Sequence, residues 1–369
     1  MKILAIETSC DETALALLEA SGGLRAPQFN ILKSVIASQI PIHRPFGGVV
    51  PNLAKREHLK NLPVVLEKVF SNLKLKNSDI DLKLKIKNLK LDAVCVTVGP
   101  GLEPALWTGI EFAKELYQQL KTQNKKLKLI GTNHLGGHLY SFLLSKKLTT
   151  KNYTLKTLFP AIALIVSGGH TILLKVDSLT KWKKLGETRD DAVGEAFDKV
   201  AKMLGLPYPG GPEIQKLGAK GNPHAIEFPR PMLHDKNYDF SYSGLKTSVL
   251  YYLRDKNYQR QSAKDQRKSV LAANVAASFQ EAALDVLVKK TVRAAKEYKA
   301  RSILLSGGVA ANKELRHKLS VVSHELGAQF FAPPMDFNTD NAVMIAVAGY
   351  ISILRKKNRR ITAQGNMGI

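Results

Sequence analysis

The segment His134-Leu135-Gly136-Gly137-His138 carries two imidazoles four residues apart. On a helix, positions i and i+4 share one face, so both rings can reach a single metal ion. Imidazole suits zinc, iron and nickel. Two ligands are too few for a protein site, and a carboxylate is the expected third. Metalloproteases with this histidine spacing place a Glu directly after the first His as general base. Leu135 stands there, so peptide hydrolysis lacks its usual base. Histidines that only pack on or cap a helix show the same spacing, and spacing alone does not separate the two readings.

Asp340, in Asn338-Thr339-Asp340-Asn341-Ala342, precedes an apolar stretch that predicts a helix over 343–354. The commonest task of an Asp there is to cap the helix. As a third ligand it would instead complete a His-His-Asp set with positions left for substrate oxygens. Asp11 falls in a polar turn, 7–12, between strands expected at 3–6 and 13–18. It either polarises a substrate or closes an Asx turn. Asp198, on a helix predicted over 188–206, reads as a partner for ribose hydroxyls or as a solvated acid. Asn312 either bonds a base or phosphate or caps its helix.

The elements that must position these residues come in two rounds. Strands are expected at 91–98, 127–132, 161–166, 171–176 and 301–305. Gly99-Pro100-Gly101, Ser167-Gly168-Gly169-His170 and Ser306-Gly307-Gly308 follow three of them. Each half reads hairpin, helices, strand, glycine loop, helix. Such self-similarity predicts two related α/β lobes with a cleft between them, where ligands meet strand ends. The expected lobes are 1–150 and 151–342, with the tail 343–369 packing back on the first. A nucleotide is expected in the second lobe, and the chain has no Walker motif. The Lys-rich stretch 74–90 reads as a surface excursion, and 145–158 as a linker.

Lys and Arg number 55 against 31 Asp and Glu, a net charge of +24. The excess favours a polyanionic partner, nucleic acid first. Much of it is scattered Lys beside Asn, which supports RNA binding without establishing it. Cys10 and Cys95 form no CxxC pair, as fits a reducing cytoplasm. The apolar start reaches Glu7 too soon for a signal peptide, and no run is expected to span a bilayer.

Ten ordered motifs then carry a resemblance. They include Ile6-Glu7-Thr8-Ser9-Cys10-Asp11-Glu12-Thr13, Gly47-Gly48-Val49-Val50-Pro51, Val166-Ser167-Gly168-Gly169-His170-Thr171, Gly194-Glu195-Ala196-Phe197-Asp198-Lys199, Tyr208-Pro209-Gly210-Gly211-Pro212 and Gly307-Gly308-Val309-Ala310-Ala311-Asn312. The chain resembles the TsaD family, the tRNA N6-adenosine threonylcarbamoyltransferases, over nearly its whole length. The resemblance implies the actin/Hsp70/sugar-kinase (ASKHA) fold, two ribonuclease-H-like lobes around a cleft. It implies transfer of a threonylcarbamoyl group from threonylcarbamoyl-AMP to the adenosine 3' of the anticodon, in tRNAs reading codons that begin with A. His134, His138 and Asp340 become the implied ligands of Fe2+ or Zn2+. Ile165, Val166, Ser167, Gly168, Gly169, Asp198, Gly211 and Asn312 become the implied donor contacts, and Asp11 the implied catalytic acid. A small paralogous TsaB-like subunit and a TsaE-like ATPase are implied partners. The family usually has Glu where this chain has Gly136, and often His where it has Asn133. The alternatives are a non-catalytic tRNA-binding scaffold of the same fold, which needs no ligand set, and a sugar kinase or ATPase, which should show Mg-binding acids.

Overall fold

The computed structural model describes residues 1–71, 90–122, 124–149, 155–258 and 266–369. The excursion at 74–89 lies outside them, as does 150–154 of the expected linker. The chain divides into two compact units: 1–42, 49–155 and 333–369 form the first, and 43–48 with 156–332 the second.

In unit 1, β1 (Lys2–Glu7), β2 (Glu12–Ser21) and β3 (Gln28–Ser38) form an antiparallel meander. Helix α1 (Pro51–Ser71) follows, then β4 (Ala93–Gly99), α2 (Glu103–Lys121), β5 (Lys128–Asn133) and the short α3 (His134–Tyr140). β4 pairs parallel with both β1 and β5, so the sheet order is β3-β2-β1-β4-β5. β4 is buried along its whole length, as a strand covered on both faces must be, and its sequence AVCVTVG is correspondingly apolar.

Unit 2 repeats the plan. β6 (Ala161–Val166), β7 (Thr171–Ser178) and β8 (Lys181–Glu187) make the meander. After them come α4 (Val193–Met203), α5 (Gly210–Gly218), α6 (Ser243–Asp255), α7 (Gln266–Glu297), β9 (Ser302–Ser306), α8 (Lys313–Glu325) and β10 (Gln329–Phe331). β9 lies parallel to β6 and β10, giving β10-β9-β6-β7-β8. The edge strand β8 carries Lys181, Lys183 and Lys184, charges that discourage further pairing. The duplication expected from the sequence is present as two sheets of one topology.

Helix α4 begins later than the expected 188, because the preceding residues are spent on other partners. Asp190 accepts from Ser241 Oγ at 2.5 Å and Tyr242 N at 2.8 Å, and Asp191 takes Lys199 Nζ at 2.7 Å. The hydrogen bonds to Ser241 and Ser243 hold the Asp190 carboxyl below its usual value against the opposing effect of burial. Within α7, the stretch Arg267–Glu297 is long and apolar enough to cross a bilayer by length and composition alone, a test that a buried core helix also passes. Val275, Phe279, Ala283 and Leu287 on it are fully buried in the core of unit 2.

The chain then returns to unit 1 through α9 (Ala342–Leu354), buried on every side from Ala342 to Ile351. A helix apolar all round belongs in a core, and this one packs against β1, β2, β5 and α3. Asp340, expected on the second lobe, therefore lies in the same unit as the two histidines.

Candidate metal centre

Strand β5 ends at Asn133, whose Oδ1 accepts from Gly136 N at 2.8 Å and so caps α3. That cap starts the helix at His134 and puts His138 one turn on, over the same face. Gly137 lets α3 lie close on α9: a Cβ there would be 3.0 Å from Met344 Cγ and 3.1 Å from Ile345 Cδ1. At the start of α9 the capping task falls to Asn341, whose Oδ1 accepts from Met344 N at 3.0 Å. The role weighed for Asp340 is thus filled by its neighbour.

Asp340 Oδ1 instead lies 3.4 Å from His134 Nε2 and 3.2 Å from His138 Nε2. The rings meet edge to face, with centroids 4.7 Å apart and planes at 85°. One ligand atom from each of the three residues lies within 4.8 Å of the others. His134 and His138 are buried, and Asp340 is half-buried. His138 Nε2 is near the carboxylate, yet neither of its ring nitrogens makes a hydrogen bond. Two Nε2 atoms facing one carboxylate oxygen, with the His138 ring otherwise without a hydrogen bond, are a donor set that could hold a metal ion.

Behind the site stands Glu7, which the sequence reading left without a role. It is fully buried at the end of β1. Its Oε1 accepts from Ser9 N at 2.5 Å, and its Oε2 from Thr97 Oγ1 at 2.6 Å, while His134 Nδ1 lies 3.2 Å from Oε2. Burial alone would raise the Glu7 carboxyl, but the adjoining His134 holds it below its usual value. Burial likewise opposes charge on His134, yet the Asp340 and Glu7 carboxylates push it up to about 9. His138, with burial and the His134 charge against it, is pushed down. A metal entering here must displace a proton from His134.

Asp11 is buried in the turn after β1. Beside it, burial pushes Glu12 well above the usual carboxylate range, and the Asp11 and Asp340 carboxylates add to the shift. Glu12 thus adjoins Asp11, and the sequence reading gave it no role. The signal available was the run of acids Glu7, Asp11 and Glu12 in one hairpin, with Glu7 and Asp11 buried.

The expected donor contacts all fall in unit 2. Ile165 and Val166 have fully buried side chains, so only their backbone, at the end of β6, is available. Ser167 N donates to His170 O at 2.8 Å and closes the tight turn. A Cβ on Gly168, Gly169, Gly211 or Gly308 would meet nothing within 4 Å. These glycines face open space. Gly307 does not: with φ +93° and Val166 O 2.2 Å from a would-be Cβ, its place admits no side chain. It brings the loop after β9 against the end of β6, whose Ile165 pairs with Ser306. Ligands of α/β sheets bind outside such carboxyl ends. Asp198 Oδ1 accepts from Gly210 N at 2.6 Å, which ties it to the Gly210-Gly211 turn. Asn312 Oδ1 caps α8 through Leu315 N at 3.0 Å, and its Nδ2 donates to Gln280 Oε1 at 2.8 Å. Its capping role, one of the two readings, is the one the side chain performs.

Comparison with known proteins places this arrangement. The family model described as TsaD, tRNA N6-adenosine threonylcarbamoyltransferase, matches residues 30–347. A protein of Moorella thermoacetica with that name is 47% identical over 355 residues, 96% of this chain and 92% of its own. One of Thermosipho melanesiensis is 46% identical over 369 residues, the full length of both. Among solved structures, full-length HypF in its phosphate- and nucleotide-bound form superposes with a TM-score of 0.53 at 14% identity, covering 98% of this chain and 47% of HypF. That likeness concerns the fold alone, which is of the ASKHA type.

Proposed function

The chain belongs to the TsaD family of tRNA N6-adenosine threonylcarbamoyltransferases, and from that premise we propose which of its residues carry the reaction. The activity is transfer of a threonylcarbamoyl group to N6 of an adenosine in tRNA. In our reading the adenosine is the one 3' of the anticodon in tRNAs reading codons that begin with A, and the donor is threonylcarbamoyl-AMP.

In this reaction the N6 nitrogen attacks the carbamoyl carbon, the bond from that carbon to the phosphate oxygen breaks, and AMP leaves with the electron pair. The amine loses one proton. An aromatic amine is a weak nucleophile, so groups that stabilise charge at the carbonyl dominate the rate. His134, His138 and Asp340 would hold the ion, Fe2+ first and Zn2+ second. Bound there, it supplies Lewis acidity and orients the donor. Asp11 takes the amine proton, with the Glu12 carboxyl beside it. The open backbone at Gly168, Gly169, Gly211 and Gly308 admits the AMP part, within reach of Asp198 and Asn312. Lys and Arg in excess hold tRNA phosphates through salt-sensitive contacts. A small TsaB-like paralogue and a TsaE-like ATPase complete the system, in the cytoplasm.

The observation that carries this reading is the convergence of three ligand atoms within 4.8 Å, one of them on His138, whose buried ring nitrogens make no hydrogen bond. The test is mass spectrometry of tRNA nucleosides after incubation with purified protein, its partners and donor. His138→Ala and Asp340→Ala are each expected to lower the rate at least about 100-fold, the scale of losing one electrostatic catalyst. Full activity in either variant refutes the metal assignment. Absence of modification by the wild-type protein, with all components present, favours a scaffold.

A further inference from the structure

We propose that Glu7 is a positioning residue that makes His134 the strong ligand of the pair and leaves His138 the weak one. The inference rests on the metal reading above.

Glu7 is held from three directions. Ser9 N donates to Oε1 at 2.5 Å, Thr97 Oγ1 donates to Oε2 at 2.6 Å, and His134 Nδ1 stands 3.2 Å from Oε2. Both oxygens of Glu7 already accept, from Ser9 N and Thr97 Oγ1, so the hydrogen shared between Oε2 and the imidazole sits on Nδ1. The atom of His134 left to ligate is then Nε2, the nitrogen 3.4 Å from Asp340 Oδ1. Ser9 Oγ, 3.1 Å from the same Nδ1, is a second neutral partner for that hydrogen. A carboxylate behind a ligating histidine fixes the ring, sets its tautomer and raises its basicity. His138 has no counterpart: its Nδ1 is buried and makes no hydrogen bond. Two histidines that the spacing treats as equivalent therefore differ in everything behind them.

The experiment uses the full chain, purified metal-free. Co2+ is titrated and read by visible absorption, and Zn2+ by competition with a coloured chelator. Glu7→Gln keeps the shape and removes the charge. Its expected effect is a 10–100-fold weaker affinity, the usual cost of losing such a partner, with a shifted Co2+ band. His134→Ala is expected to weaken binding more than His138→Ala. Thr97→Val, which frees one side of the carboxylate and leaves its charge, is expected to fall between wild type and Glu7→Gln. It serves if Glu7→Gln does not fold, as judged by circular dichroism. Affinity within twofold of wild type in the folded Glu7 variant, or in Thr97→Val if that variant fails, overturns the proposal. So does equal damage from the two histidine variants. A wild-type chain that binds neither ion overturns the metal reading itself, and the two failures are told apart by that control.

Discussion

Gly349 tests whether α9 sets the distance between acid and imidazoles. The residue lies in the middle of the helix, over β4 and β5. A Cβ built there would stand 2.3 Å from Cys95 Sγ and 3.1 Å from Cys95 Cβ, with Thr132 Oγ1 at 3.5 Å. Ordinary contact begins at 3.4 Å, so Gly349→Ala forces a separation of at least 1.1 Å. Cys95 is fully buried in a strand packed on both faces, and burial pushes its thiol up to about 12, so it behaves as an apolar wedge. The helix must lift, and overpacking of this kind costs about 1–3 kcal/mol. Asp340 rides on the same helix through the Asn341 cap. Metal sites tolerate ligand displacements of only about 0.2 Å, so a lift of the helix weakens metal affinity as well as stability. Cys95→Ala removes the nearer atom and leaves the Cβ at 3.1 Å, so it should return part of both losses. A double-mutant cycle in urea is the assay, with Trp107 fluorescence in a Trp182→Phe background reporting unit 1. The expected coupling is about 0.5–3 kcal/mol, as for residues in contact. A destabilisation below about 0.5 kcal/mol, the range of neutral surface changes, or strict additivity with Cys95→Ala, refutes the reasoning.

Two further outcomes follow from single residues. Gly136 stands where the family usually has Glu, and a Cβ there would meet only Asn133 Cβ at 3.6 Å and Asn133 Oδ1 at 3.7 Å. Gly136→Ala should raise stability by about 0.5–1 kcal/mol, the helix cost of glycine, with metal affinity unchanged; a loss in thermal melting would show that the place is not open. Lys290 is buried, donates to Asp239 O and lies 5.6 Å from the Phe240 ring centroid. Burial, with Arg293 beside it, pushes its ammonium down from 10.5 to about 8. Between those values the unfolded chain binds the extra proton, so stability rises with pH from about 8 to 10.5. Denaturant melts across that range should lose the slope in Lys290→Met, and an unchanged slope would assign it elsewhere.

What the sequence carried was local. The spacing of His134 and His138 is a helix property, and it survives folding because Asn133 starts α3 at the right residue. The duplicated order of strands and glycine loops is likewise a string property, and two sheets of one topology answer it. What it carried poorly was anything decided by a partner far along the chain. Glu7 meets His134 across 127 residues, and a buried acid at a strand end has no periodicity to announce it. Asp340 before a helix reads as a cap until Asn341 is seen to hold that place. The expected boundary at 342 sends the tail 343–369 to the first lobe but leaves Asp340 with the second, whereas unit 1 takes the chain back from Pro333, ahead of Asp340. Of the two roles weighed for Asn312, the cap is the one visible here: Oδ1 accepts from Leu315 N at the start of α8 and Nδ2 donates to Gln280.

The site is therefore less a motif than the meeting of three backbones whose approach is set by the absence of side chains. Gly137 seats α3 on α9, and Gly349 seats α9 on the sheet. Adding a methyl group at either is expected to move an imidazole or the carboxylate with no ligand changed. In the proposed reading the histidines and the acid would choose the ion, and the glycines would set whether the three can close on it. Gly349, outside every motif that identified the family, makes the sharper trial of that division. It contacts neither a ligand nor the open backbone of unit 2. If its substitution costs metal affinity and Cys95→Ala restores it, helix seating controls the site.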